Sequence, residues 1–220
     1  MKEPATIPRR AWLWVFAAYL FQSIPAAVRD EALPVALMDL GYADAQITQA
    51  VAVFGLIVGC KILLSPLVAG FNPRRFILAA ELGIAALLGL LAYHVGADQF
   101  STTPIIGCLI LLSLFAAAHD FALDGYFVSA LDDRTRATHS GLLNFASKLG
   151  MVLAGPGLIW LAGRIMDYGP QSADAWSWSL VAAGLLALFA TAANALGRAV
   201  ASGPRVEPSP TTTAAASTWP

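Results

Sequence analysis

The chain has 220 residues, 58% of them hydrophobic and 12% charged, with a formal net charge of −1 and a mean hydropathy of +0.67. A soluble domain carries about 25% charged residues, so this balance excludes an ordinary water-soluble fold. It also lacks the basic footprint of a nucleic-acid-binding protein, and no dense basic cluster stands in for one. The two cysteines, Cys60 and Cys108, lie in apolar stretches with no CxxC partner. They read as small buried hydrophobes.

Six apolar segments follow in chain order, at 12–36, 46–70, 76–95, 104–130, 139–163 and 176–197. Each is long enough to cross a hydrocarbon core as a helix, which takes about 20 residues. Turn-forming residues separate them: Gly41-Tyr42-Ala43-Asp44, Asn72-Pro73-Arg74-Arg75, Gly96-Ala97-Asp98, Asp132-Asp133-Arg134 and Tyr168-Gly169-Pro170. No segment alternates polar and apolar residues at period two, which speaks against an outer-membrane barrel. Lys2, Arg9 and Arg10 before the first segment resemble a signal peptide. Trp12 and Trp14 as interfacial anchors, and the five spans that follow, favour a first spanning helix instead.

Basic residues set the expected orientation. With both termini cytoplasmic, the inner segments hold Lys2, Arg9, Arg10, Arg74, Arg75, Arg134, Arg136, Arg198 and Arg205, and the outer face little more than Arg164. Trp160, Trp176 and Trp178 are then expected at the outer interface. The domain organisation expected is a cytoplasmic segment at 1–11, a six-helix transmembrane domain at 12–197 and a disordered cytoplasmic tail at 198–220, rich in Pro, Thr and Ala.

Charges inside the apolar runs carry the most information. Lys61, Asp120, Asp124 and Lys148 each interrupt a stretch that otherwise reads as a spanning helix. A charge at mid-bilayer costs about 2.5–3.5 kcal/mol on insertion scales, so it persists where it is paired, hydrated or functional. Lys61, Asp124 and Lys148 lie about 10–15 Å in from the cytoplasmic ends at a rise of 1.5 Å per residue. Asp120 stacks one turn deeper on the face of Asp124. The four form one polar layer on three helices.

A faint internal echo joins the second and fifth spans: 54–59 with Pro66 against 145–150 with Pro156. Three-plus-three repeats build one half of a major facilitator transporter. Longer motifs also resemble that superfamily, most closely the AmpG-type muropeptide permeases and the related acetyl-CoA transporters. They are Tyr19-Leu20-Phe21-Gln22-Ser23-Ile24-Pro25 continuing to Glu31-Ala32-Leu33-Pro34-Val35, Lys61-Ile62-Leu63-Leu64-Ser65-Pro66, His119-Asp120-Phe121-Ala122-Leu123-Asp124-Gly125-Tyr126, and Ser147-Lys148-Leu149-Gly150-Met151. The third is the most specific and is similar to the family's Gln-Asp-x-x-x-Asp-(Gly/Ala)-Tyr. The matches cover roughly residues 12 to 165, the N-terminal half of such a transporter. The loop after the second span departs from the family pattern: Arg74 and Arg75 are kept, but Asn72 stands near the place of an acid that helps latch the family's helices.

The resemblance implies an all-α integral membrane protein, a six-helix half of a major facilitator fold. Asp124 and Asp120 become the leading candidates for proton coupling or substrate contact; the plainer reading is a structural ion pair with Lys61 or Lys148. The two lysines would hold an anionic group on the solute, or snorkel to headgroups. Glu31, Tyr126, Arg74 and Arg75 are secondary candidates. Arg29, Asp30 and Glu31 lie near the outer end of the first span, where a water-filled vestibule or local pairing would accommodate them; as neighbours they point in different directions around a helix and are expected to form no single site. Glu81 is expected to pair with Arg74 or Arg75, and His119 to be a hydrogen-bonded core histidine.

No GxSxG, HExxH or phosphate-cradling glycine loop is present, so no enzyme is expected, and no cofactor or metal is implied. The expected function is a half-size, proton-coupled secondary transporter of an anionic or sugar-peptide solute in a bacterial inner membrane. Six spans would have to dimerise or join a second six-helix half. The alternative is a non-transporting subunit or assembly factor packed against a larger membrane complex; a third reading is a truncated relic of a full-length permease.

Overall fold

A computed structural model describes residues 11–59, 70–97, 102–130 and 133–198. Lys61, the expected segment before Ala11 and the expected tail after Arg198 lie outside the described residues. Among those residues every regular element is helical. The order is α1 (Ala11–Ala27), a π-helical turn (Val28–Ala32), α2 (Leu33–Asp39), α3 (Asp44–Gly59), α4 (Pro73–Val95), α5 (Thr102–Ala130), α6 (Asp133–Ala154), α7 (Pro156–Met166) and α8 (Ser172–Arg198).

Local chemistry accounts for the boundaries. Asn72 caps α4, its Oδ1 accepting from the backbone N–H groups of Arg74 at 3.1 Å and Arg75 at 3.3 Å, with Pro73 at the first helical position. Gly41 (φ 85°) and Gly169 (φ 100°) make the turns after α2 and α7 in the left-handed region that side chains avoid. The expected fifth span is broken in two. Pro156 has no N–H to continue the ladder, and Gly155 takes φ −101° and ψ −95° to bend between α6 and α7.

Among the described residues, four stretches are long and apolar enough to cross a membrane: Pro73–Val95, Thr103–Ser129, Ser140–Met166 and Ser172–Gly197. The first apolar segment is helical from Ala11 to Asp39 but divided by the π-turn. The second is helical over Asp44–Gly59, and its remainder lies outside the described residues. Against α1 pack α6, α8 and α5; against α4 pack α8 and α5. Alanine lets these axes approach: Ala17, Ala18, Ala80, Ala92, Ala146, Ala183, Ala187 and Ala190 are all buried. At the α1–α6 contact, a Cβ on Gly150 would collide with the carbonyl oxygen of Leu20.

Large apolar side chains cover much of the outside. Leu82, Leu90 and Tyr93 on α4, and Leu185, Phe189 and Leu196 on α8, are exposed on a pair of packed helices. A soluble monomer does not leave such continuous apolar faces to water, whereas hydrocarbon accepts them. The molecule is therefore an all-α integral membrane protein. Of the tryptophans expected at the outer interface, Trp176 is buried within the protein, its Nε1 donating to Asp39 Oδ2 at 2.9 Å. That bond, and Ser177 Oγ donating to Ala92 O at 2.8 Å, tie α8 to α2 and α4 at one end of the bundle. Trp160 and Trp178 are exposed.

Candidate functional site

A cleft of about 350 Å³ opens between α1, α5 and α6, lined chiefly by Tyr19, Gln22, Arg29, Asp120, Ser147 and Met151. Helical spacing explains the α1 wall: Tyr19, Gln22, Ala26 and Arg29 recur every three to four residues along one face. The polar character extends beyond the lining. Asp124, one turn along α5 from Asp120, is exposed, as are Asn144 and Lys148 on α6. Tyr19 lies within electrostatic range of both carboxylates.

Arg29 lines the cleft although the sequence reading assigned it to no site. It stands in the π-turn, where its Nε and Nη2 donate to Asp30 Oδ1 and Oδ2 at 2.6 and 2.5 Å. The local pairing expected near the end of the first span is formed between Arg29 and Asp30, although neighbours on a regular helix point apart. Adjacent residues diverge on a regular α-helix, but the wider π-turn lets the long guanidinium fold back on its neighbour's carboxylate. Arg29 is 14% exposed and Asp30 50%, so the pair lies at the mouth with the cation turned inward. The available signal was a cation inside an apolar run, between Pro25 and Pro34.

The remaining candidates scatter. Lys148 places Nζ 3.9 Å from Sδ of the cleft residue Met151, at the rim. Glu31 sets its carboxylate against Gly155 at the bend between α6 and α7, where a Cβ would clash with it. Tyr126 packs edge-on to Trp14, ring centres 5.4 Å apart. Arg74 and Arg75 remain at the start of α4, held through their backbone by Asn72. The structure thus brings Asp120, Asp124 and Lys148 to one polar face and leaves Glu31, Tyr126, Arg74 and Arg75 off the lining.

A second polar cluster lies in the core. Glu81 is fully buried, and its Oε1 accepts from Asn194 Nδ2 at 2.5 Å and meets His119 Nε2 at 3.2 Å. Phe21 covers the imidazole, ring centres 5.1 Å apart. The expected pairing of Glu81 with Arg74 or Arg75 is not formed. Those cations sit about two turns back at the helix start, while the Glu81 side chain faces inward between α5 and α8. His119 is the bonded core histidine expected of it. Asn194 was missed, although a lone amide in an apolar span is itself a signal.

Chemically, the cleft offers a guanidinium to an anionic group and a carboxylate to a proton or an amine, with an amide and a hydroxyl between them. Among the described residues no cluster of His, Cys, Asp or Glu has metal-holding geometry. No protein-family model matches the chain.

Proposed function

We propose that this protein is a half-size secondary transporter, a six-span half of the major facilitator type that moves an anionic or sugar-peptide solute with protons. The supporting observation is the cleft: Arg29 and Asp120 face the same space from opposite walls, with Asp124 and Lys148 exposed beside it. Ionisable side chains inside a spanning bundle, gathered on the wall of an open cleft, are a functional site by default. In this reading α1 to α2 and the helix beginning with α3 supply the two further spans. Both termini face the cytoplasm, and the cleft becomes half of a shared cavity completed by a second copy or a second six-helix chain.

One observation favours the alternative of a non-transporting subunit. Asn72, near the place of the family's latch acid, has its side chain engaged in capping α4. Reconstitution separates the two readings. Purified protein in proteoliposomes, offered sugar-peptides and acyl-coenzyme A thioesters under an inward proton gradient, should accumulate one class as a homodimer or with its six-helix partner. Asp120→Asn should abolish accumulation without loss of folded yield. Stoichiometric purification within an unrelated complex, with an aqueous thiol reagent unable to reach a cysteine at Ser147, would end the transport reading.

A further inference from the structure

The buried cluster of Glu81, His119 and Asn194 has an unbalanced hydrogen-bond inventory. Oε1 of Glu81 accepts from Asn194 Nδ2 and meets His119 Nε2, while Oε2 of Glu81 and Oδ1 of Asn194 are buried with no hydrogen-bond partner. Both orphans are acceptors, and they belong to residues already joined by one bond. A buried acceptor without a donor costs about 1–3 kcal/mol, more when it is charged. Two such atoms on one contact call for a missing hydrogen.

We propose that Glu81 is a buried proton-binding site, carrying a proton on Oε2 that it donates to Oδ1 of Asn194. A carboxylic acid and a carboxamide are both planar forks. Joined edge to edge they make two bonds in a ring, amide N–H to one acid oxygen and acid O–H to the amide oxygen. One proton then satisfies both orphans. Turning the amide over merely exchanges the two arms of the ring, so either assignment of the Asn194 oxygen and nitrogen requires the same single proton.

The surroundings support a neutral acid. From α5 the group facing Glu81 is His119, from α8 the uncharged Asn194, and Phe21 of α1 closes over the imidazole. On α4 itself, Arg74 and Arg75 stand about 10 Å along the axis. His119 therefore serves as a donor to Oε1, and no second cation among these groups is placed to neutralise a carboxylate. The proton ties α4 to α8, and through His119 to α5, whose next residue is Asp120 of the cleft.

Infrared difference spectroscopy on the full-length protein in nanodiscs tests this. The carbonyl stretch of a protonated carboxylic acid should be present at neutral pH, vanish in Glu81→Gln and persist in Asp120→Asn. Asn194→Ala, which removes the acceptor, should move that band to higher wavenumber. It supplies the answer if Glu81→Gln does not fold. Glutamine mimics the neutral acid, so Glu81→Gln should melt within about 2 °C of the parent, whereas Glu81→Ala should lose about 5–10 °C. Absence of any acid band that responds to Glu81→Gln or Asn194→Ala overturns the proposal. So does a Glu81→Gln midpoint as low as that of Glu81→Ala, because both results describe an ionised Glu81 paired with a His119 imidazolium.

Discussion

Two neighbours on α5 meet opposite environments. His119 is 1% exposed, held between Glu81 and Phe21, while Asp120 lines an open cleft with Arg29 and Gln22. Successive residues on a helix are turned by about 100°, so one element serves a dry core and a wet wall at the same depth. An apolar chain has two places for a polar group, in a dry core or on the wall of a cleft. The first binds helices together. The second leaves a group able to meet a solute.

Substitutions on the two sides should therefore fail in different ways. The largest stability effect is expected at Asn194→Leu, which removes a donor from a buried carboxyl. Unfolding in mixed micelles should show a loss of about 2–4 kcal/mol. Asp120→Asn should change stability by less than about 0.5 kcal/mol and abolish proton-coupled uptake. An Asp120→Asn protein as unstable as Asn194→Leu would erase the distinction and make the cleft carboxylate structural.

A middle-sized effect is expected where the two regions share a wall. Gly150→Ala presses a methyl group on the Leu20 carbonyl, so α1 and α6 must separate; the expected cost is about 1–3 kcal/mol, with reduced uptake. Ser177→Ala removes one bond to Ala92 at the far end, and should cost about 1 kcal/mol while leaving uptake intact. A cysteine probe sharpens the contrast with almost no perturbation. In a background lacking Cys60 and Cys108, Ser147→Cys in the cleft should react with a charged maleimide. Ser113→Cys, buried in α5, should not.

Much of this was legible in the chain. Apolar length located the helices, Gly41 and Gly169 marked their turns, and charges in apolar runs led to the polar face that bears Asp120, Asp124 and Lys148. Pairing was not legible. Glu81 meets His119 and Asn194 across 38 and 113 residues of sequence, and no local spacing encodes such partners, so nearby Arg74 and Arg75 looked the better match. The partner of Trp176 was illegible for the same reason: its indole has an apolar socket and an acceptor in Asp39, 137 residues away. Arg29 escaped because the periodicity argument assumed a regular α-helix where the backbone makes a π-turn.

That π-turn has a further consequence, for insertions and deletions. It holds one residue more than an α-turn would, and thereby sets the phase of α2 against α1. Excising a single residue between Val28 and Ala32 would restore an unbroken α-ladder, yet swing α2 by about 100°. Leu33, Ala36 and Leu37 would rotate out of the core, and Asp39 would leave the Trp176 indole. Tyr19, Gln22 and Ala26 precede the turn and would keep their cleft. A one-residue gap here thus separates an intact cleft wall from a helix end that has lost its seat, and any related chain lacking the extra residue must seat its α2 on a different face.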